Sequence, residues 1–298
     1  MRFSPASGLS SWAPSKTDRV DVRPAQVLAR AERYLVRHAV EGPRENAESL
    51  LMGVLGVERA TLFARSTPLT PDEARSFGLA LYQRCTGVPL QHLTGEQQFR
   101  HLTLRVRPGV FIPRPETEEV VGVALDLIER LDHPPTVVDV CSGSGAIGLA
   151  IKNERPDATV VAVDISNEAV DLVAENAGLL GLDVQIVKGD LLEAVPASFV
   201  GCVDMIVSNP PYVSGEEYEV LPVEVRADPR LALVGGTQIH ARLVEQARGL
   251  LRTGGWLVME IGESQGEEVL AMMRLRFDDA RSTKDLAGRD RIVSGRLA

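Results

Sequence analysis

Three cysteines, Cys85, Cys141 and Cys202, are all that the 298 residues contain. They are too few and too scattered for a disulfide framework or a zinc cluster. No apolar run approaches the roughly 18 residues needed to cross a bilayer, so no membrane association is expected. The opening stretch, MRFSPASGLSSWAPSKTD, has no apolar segment of the secretory kind, so a cytoplasmic address is expected. Basic residues are in deficit: Lys+Arg number 32 against 41 Asp+Glu, a formal net charge of -9. Such a surface repels phosphate backbones on average, which disfavours tight non-specific nucleic-acid binding. What is present is ordinary for a globular protein, 44% hydrophobic and 24% charged residues. That mix excludes a disordered chain, a collagen-like chain and a coiled-coil rod. The length allows about two domains.

The chain changes character along its length. Residues 1–22, rich in Ser, Pro and Ala, read as a flexible tail. Residues 23–95 read as a small helical domain. Val27, Leu28, Ala31, Leu35 and Val36 share a helix face, and Glu45 to Leu55 forms a second helix stopped by Gly56. Thr70-Pro71 with Glu73 opens a third helix through a capping box. Residues 96–112, most of the alternating segment QFRHLTLRVRPGVFIP among them, read as a β-hairpin around Pro108-Gly109 that links two domains. From 113 to 298 strands alternate with helices. The strands are expected at Thr136–Val140, Thr159–Val163, Val184–Val187, Val203–Ser208, Trp256–Ile261 and Arg291–Gly295. This order predicts an α/β fold with a doubly wound, mostly parallel sheet.

Two loops carry chemistry. The first strand runs from Asp139 into Val-Cys-Ser-Gly-Ser-Gly-Ala-Ile-Gly148, a G-x-G-x-x-G turn between strand and helix. Asp164 ends the next strand, 21 residues after Gly143, where a carboxylate would accept ribose hydroxyls. The turn alone does not separate a dinucleotide from S-adenosylmethionine. Charge does: Asp139 is a poor neighbour for a pyrophosphate and a good one for a sulfonium or ammonium. Asp190, in KGDLL, adds an acid at the same sheet edge or caps the turn there. The second loop is Ser208-Asn209-Pro210-Pro211-Tyr212. Two prolines stiffen it and remove two N–H donors. The Asn209 side-chain oxygen and the Pro210 carbonyl are then free to accept both hydrogens of one NH2 group, with Tyr212 as an aromatic wall. An amide nitrogen is a weak nucleophile, and accepting its hydrogens orients it for attack on a methyl group in line.

These residues resemble a known family. The glycine turn, AVDIS, GDLL and IVSNPPYV look like class I S-adenosylmethionine methyltransferases of the NPPY group. GVPLQHLTGEQQF with VFIPRPETEEVV, DPRLAL from Asp228, GGWLVMEIG and KDLAGRDRIVSGRL are more specific. They make the chain, from about residue 25 onward, similar to the HemK/PrmC glutamine methyltransferases. The resemblance implies a Rossmann-like class I fold. It implies methylation of the side-chain amide of the Gly-Gly-Gln glutamine of class I peptide-chain release factors, which the helical domain helps to dock. It implies S-adenosylmethionine as cofactor, held by Asp139, Cys141, Ser142, Gly143, Ser144 and Gly145, by Asp164 at the ribose, and by Asp190-Leu191 at the adenine. Asn209, Pro210, Pro211 and Tyr212 would hold the glutamine, with Asn209 near the methyl donor. Arg114 and Glu116 would shape a substrate cleft, the alternative for this pair being an ion pair that anchors the linker. A monomer without direct nucleic-acid contact is expected. Cys141 stands where the family has Gly, so the turn is expected to differ slightly or to do without a positive φ there. Thr237-Gln238 replace the family's Asp-Gly, and His240 is expected on a helix surface. The rival readings are a relative acting on a ribosomal-protein glutamine or a small molecule, an adenine-amino nucleic-acid methyltransferase, and an NAD-dependent regulator.

Overall fold

A computed structural model describes residues 23–298, and the proposed tail lies outside them. The chain divides into two compact units that part between Gly95 and Glu96. The first unit is helical: α1 (Pro24–Arg37), α2 (Pro43–Leu55), α3 (Arg59–Ala64), α4 (Pro71–Cys85) and α5 (Leu90–Thr94). Proline sits in the first turn of α1, α2 and α4, where its missing N–H costs nothing. Thr70 and Glu73 form the expected capping box. Leu35, Leu50, Leu51, Leu62, Phe77 and Leu81 fill the core. A buried polar tie runs through it, Arg84 Nε donating to Asn46 Oδ1 at 2.6 Å.

The second unit holds the hairpin β1 (Glu96–Phe99) and β2 (Leu102–Arg105), then α6 (Thr117–Ile128), β3 (Thr136–Val140), α7 (Ala146–Glu154), β4 (Thr159–Asp164), α8 (Asn167–Leu180), β5 (Gln185–Lys188) and β6 (Val203–Ser208). After β6 come α9 (Gly215–Val220), α10 (Arg230–Leu233), α11 (Gly236–Leu250), β7 (Leu251–Glu260), α12 (Gly266–Arg274), β8 (Asp278–Lys284) and β9 (Asp290–Arg296). The hairpin turns at Arg100-His101, not at Pro108-Gly109. Pro108-Gly109 makes a separate turn, closed by Val110 N–H to the Arg107 carbonyl, with Gly109 at φ +95°. The hairpin lies in the second unit, where Phe99, Leu102 and Leu104 share a buried cluster with residues of α6 and α7.

The sheet order is β5-β4-β3-β6-β7-β9-β8, parallel through β7, with β9 antiparallel to both neighbours. Its central strands are near-continuous apolar runs because helices cover both faces. The period of two sorts them. Val138, Val140, Ile206, Leu257 and Met259 pack against Leu243, Val244 and Ala247 of α11. Val137, Met205, Val207 and Val258 pack against Val120, Val121 and Ala124 of α6 and Ile147 and Ala150 of α7. The chain enters the sheet at β3, runs outward to β5 and returns to β6, so the strand order reverses between β3 and β6. In open α/β sheets ligands bind at the carboxyl ends beside such a reversal. The register aligns those ends: Val140 pairs with both Val163 and Ser208. No helix among the described residues is long and apolar enough to cross a membrane.

Candidate active site

A cavity of about 730 Å³ opens at this edge. Its size is that of a site for a cofactor-sized molecule. Cys141, Ser142, Gly143 and Ser144 line it after β3, Asp164 at the end of β4, Asp190 and Leu191 after β5, and Asn209 to Tyr212 after β6. Arg114 also lines it. Asp139, Gly145 and Glu116 do not, although the motifs put them beside it.

The β3 turn is built from short backbone ties. Ser142 N–H donates to the Val163 carbonyl at 3.1 Å and Gly145 N–H to the Ser142 carbonyl at 2.7 Å. Cys141 adopts φ +59°, against the expectation that its Cβ keeps it out of that region. The left-handed conformation costs a non-glycine residue roughly 1–2 kcal/mol, and the ties on either side hold it. Burial pushes the Cys141 thiol far above its ordinary value, which makes it a packing group and no nucleophile. Gly148 is required by close approach: a Cβ there would meet Asp139 Oδ2 at 2.9 Å and Val160 at 3.2 Å. Asp139 accepts from Gly148 N–H at 2.8 Å and is wholly buried, which pushes its carboxyl up to about 7. It therefore fastens α7 to β3 instead of reaching the cavity.

Asp164 is held as a fixed acceptor. Its Oδ2 accepts from Gly143 N–H and its Oδ1 from Ser166 N–H, both at 2.9 Å. A carboxylate offers about four lone-pair sites, so acceptor capacity remains beyond these backbone donors. Burial raises its pKa and the backbone N–H bonds oppose that rise. Asp190 caps nothing through its side chain. It accepts from Arg242 at 2.8 Å, and both are partly exposed. Leu191 is buried at φ +50°. The cationic residues lining the cavity, Arg114 and Arg242, are each ion-paired, with Asp228 and Asp190. Among the described residues the cavity lining thus holds no arginine left over for a pyrophosphate, which fits a sulfonium cofactor with a ribose better than a dinucleotide.

The Asn-Pro-Pro-Tyr loop is clamped from three sides. Val213 N–H donates to the Leu233 carbonyl at 2.8 Å, and Gly235 N–H returns to the Val213 carbonyl at 3.1 Å. Gln265 donates to the Tyr212 carbonyl at 2.8 Å. Asn209 Nδ2 donates to Thr117 Oγ1 at 3.1 Å, Thr117 donates to Glu260 Oε2 at 2.7 Å, and Tyr212 O–H donates to Glu260 Oε1 at 3.1 Å. Among the described residues nothing donates to Asn209 Oδ1 or to the Pro210 carbonyl, so both acceptors are available to a ligand.

Arg114 pairs with Asp228, not with Glu116, and lies 5.2 Å over the Phe111 ring. Asp228 also accepts from Ile112 N–H at 3.1 Å, so the pair fastens the segment before α6 to the one before α10. Glu116 sits exposed at the start of α6. His240 is fully buried, not on a helix surface. It bonds the Glu260 carbonyl at 2.9 Å, and burial lowers its pKa. Thr237, in the departure from the family pattern, donates to Glu268 at 2.7 Å and does not line the cavity. Local sequence pattern does not single out Thr117 or Glu260 as site residues. Their signal is an acid ending the apolar run Trp256–Met259, a place where a charge is expensive without partners.

Sheet order, strand reversal and loops at the carboxyl edge are those of a class I methyltransferase, and the protein is one. Residues 101–225 match the methyltransferase small domain and residues 26–95 the PrmC N-terminal domain. Relatives named release factor glutamine methyltransferase include one from Moorella thermoacetica, 41% identical over 89% of this chain and 95% of its own. Another, from Streptomyces coelicolor, is 39% identical over 91% of this chain and 97% of its own. A solved T. thermophilus 16S rRNA N2 G1207 methyltransferase, in complex with AdoMet and guanosine, matches with TM-score 0.52 at 18% identity. That match covers 68% of this chain and 50% of that one, and bears on the fold. With such identity over nearly the whole chain, the protein belongs to the release factor glutamine methyltransferase family.

Proposed function

We propose that this protein methylates the side-chain amide nitrogen of the Gly-Gly-Gln glutamine in class I peptide-chain release factors, with S-adenosylmethionine as donor. The cofactor supplies an electrophilic methyl on a positively charged sulfur. Asp164 would accept its ribose hydroxyls, Leu191 would flank the adenine, and Cys141 to Ser144 would form the turn that holds it. Asn209 Oδ1 and the Pro210 carbonyl accept the two amide hydrogens of the glutamine, and Tyr212 walls the carboxamide plane. These acceptors hold the nitrogen in line with the methyl and favour the positive charge that develops on it as it attacks. The proton is then free to leave to water. The match of residues 26–95 to the PrmC N-terminal domain supports a docking role for the helical unit. A cytoplasmic address and a monomeric state belong to the same proposal.

The observation that carries this reading is the pair of unused oxygen acceptors on a clamped loop at the cavity wall. Mass spectrometry of a purified class I release factor, incubated with this protein and S-adenosylmethionine, tests it. One methyl group on the Gly-Gly-Gln glutamine is expected. A protein that binds the cofactor yet leaves that glutamine unmodified would refute the substrate. Transfer to a ribosomal-protein glutamine or a small amide would then put the relative with another substrate in its place.

A further inference from the structure

Thr117 and Glu260 come from opposite ends of the second unit and meet behind Asn209. Glu260 is sealed from solvent, 1% exposed, at the end of β7. An ionised carboxylate only accepts hydrogen bonds. Both hydroxyls that touch Glu260 must then point their protons at it, Thr117 at Oε2 and Tyr212 at Oε1. Thr117 Oγ1 has given its proton away and only accepts from Asn209. The Asn209 group facing Thr117 must therefore be its NH2, which turns Oδ1 away from Thr117. A carboxamide's two ends are nearly alike in shape, so only this chain of protons sets which end faces the ligand.

We propose that Thr117 and Glu260 are positioning residues, a proton-orientation relay that keeps the Asn209 oxygen, and not its NH2, presented to the substrate amide. The inference rests on the reading of Asn209 as the amide acceptor. When Glu260 takes a proton on Oε2, it donates to Thr117. The Thr117 proton is then freed toward Asn209, and the carboxamide turns its oxygen inward. Its NH2 then faces the N–H groups of the substrate, donor against donor. The hydroxyls of Thr117 and Tyr212 touch Glu260, the charges of Arg291 on β9 and of the outward-pointing Glu116 at the start of α6 act on it electrostatically, and the His240 ring bonds its carbonyl. Burial pushes the Glu260 carboxyl up to about 7, with Thr117, Tyr212 and Arg291 opposing and Glu116 adding to the rise. The acceptor-presenting state is therefore held above that value and lost as pH falls through it.

The test combines turnover with a readout that needs no substrate. In ¹⁵N-asparagine-labelled protein, the Asn209 side-chain NH2 resonances should titrate with an apparent pKa near 7, and Glu260→Gln should abolish that titration. With purified release factor and labelled S-adenosylmethionine, Thr117→Val should cut kcat roughly 10–100-fold, as for a misaligned transition-state acceptor, with cofactor Kd held within about twofold. Thr117→Ser keeps the hydroxyl and should recover most of the loss. Asn209→Ala serves as the control. Its wild-type turnover would sink the Asn209 reading itself. A crippled Asn209→Ala beside a fully active Thr117→Val would sink only the relay. So would Asn209 resonances that ignore pH, or a Thr117→Ser no better than Thr117→Val.

Discussion

Replacing Asp164 separates the two jobs its carboxylate does. One is internal: it accepts from Gly143 and Ser166 N–H and so ties the glycine turn to the end of β4. On the proposed reading the other is outward, acceptor capacity left over for the ribose diol of S-adenosylmethionine. A hydrogen bond to a charged group is worth about 1.5–3 kcal/mol. Asp164→Ala removes both diol bonds, but it also removes a carboxylate that burial already disfavours. The net loss is set at about 3 kcal/mol, and each 1.4 kcal/mol is about tenfold, so cofactor Kd should rise ~100-fold. Asp164→Asn keeps one acceptor oxygen and turns an NH2 against one of the two backbone donors. Its loss should be smaller, about tenfold, from one such bond. The sign with pH follows from the raised pKa: the carboxyl takes its proton as pH falls, so wild-type affinity should weaken toward acid, while Asp164→Ala should be flat. Isothermal titration with S-adenosylmethionine and with its demethylated product measures all of this on proteins whose melting is checked beside it. Two folded variants with Kd within threefold of wild type would refute the ribose role.

Gly235→Ala would place a Cβ 2.2 Å from the Pro211 carbonyl oxygen and 2.7 Å from Ile239. The first is backbone and cannot swing aside, so a stability loss of about 1–3 kcal/mol is expected. A shifted Asn-Pro-Pro-Tyr loop should come with it, read by urea melts and by turnover falling more than cofactor binding. Asp139 gives a pH signature. Its folded pKa lies near 7 against 3.8 in its ordinary state, so the neutral form is favoured by folding. The stability it contributes is fully present below 3.8 and is lost as pH rises through about 7, in total roughly 4 kcal/mol at 1.36 kcal/mol per unit. Asp139→Asn can still accept from Gly148 and does not ionise, so its urea midpoint should fall less between pH 4 and pH 8 than that of wild type. Parallel curves would refute the assignment.

Where burial on both faces dictates the residues, the strands were legible from sequence. Thr136–Val140 and Val203–Ser208 stand where the sequence pattern puts them, because a parallel strand covered by helices on both sides shows as a near-continuous apolar run rich in Val and Ile. β8, DDARSTK, was not read, because an edge strand needs no apolar alternation and takes its pairing from β9 alone. Pro108-Gly109 is a turn, but turn chemistry says that the chain bends and not which strands it joins. Cys141 shows that a steric preference of one or two kcal/mol yields to a loop whose other bonds are fixed.

Neighbours in a motif are not neighbours in a site. Asp139 lies two residues before the glycine turn's first cavity residue, yet its parity on β3 is that of Val137. That parity aims it at α7 on the face opposite Val138 and Val140. Glu116 directly precedes Thr117, yet Thr117 points inward and Glu116 outward. The converse case is Thr117 with Glu260, 143 residues apart, where neither side chain orients Asn209 without the other. A local pattern can state that Glu260 ends an apolar strand. Only the register that sets the end of β7 beside the end of β6, with the start of α6 packed behind both, states what that charge is for. That is why residues that line the cavity are largely legible in the chain, while the residues packed behind them are not.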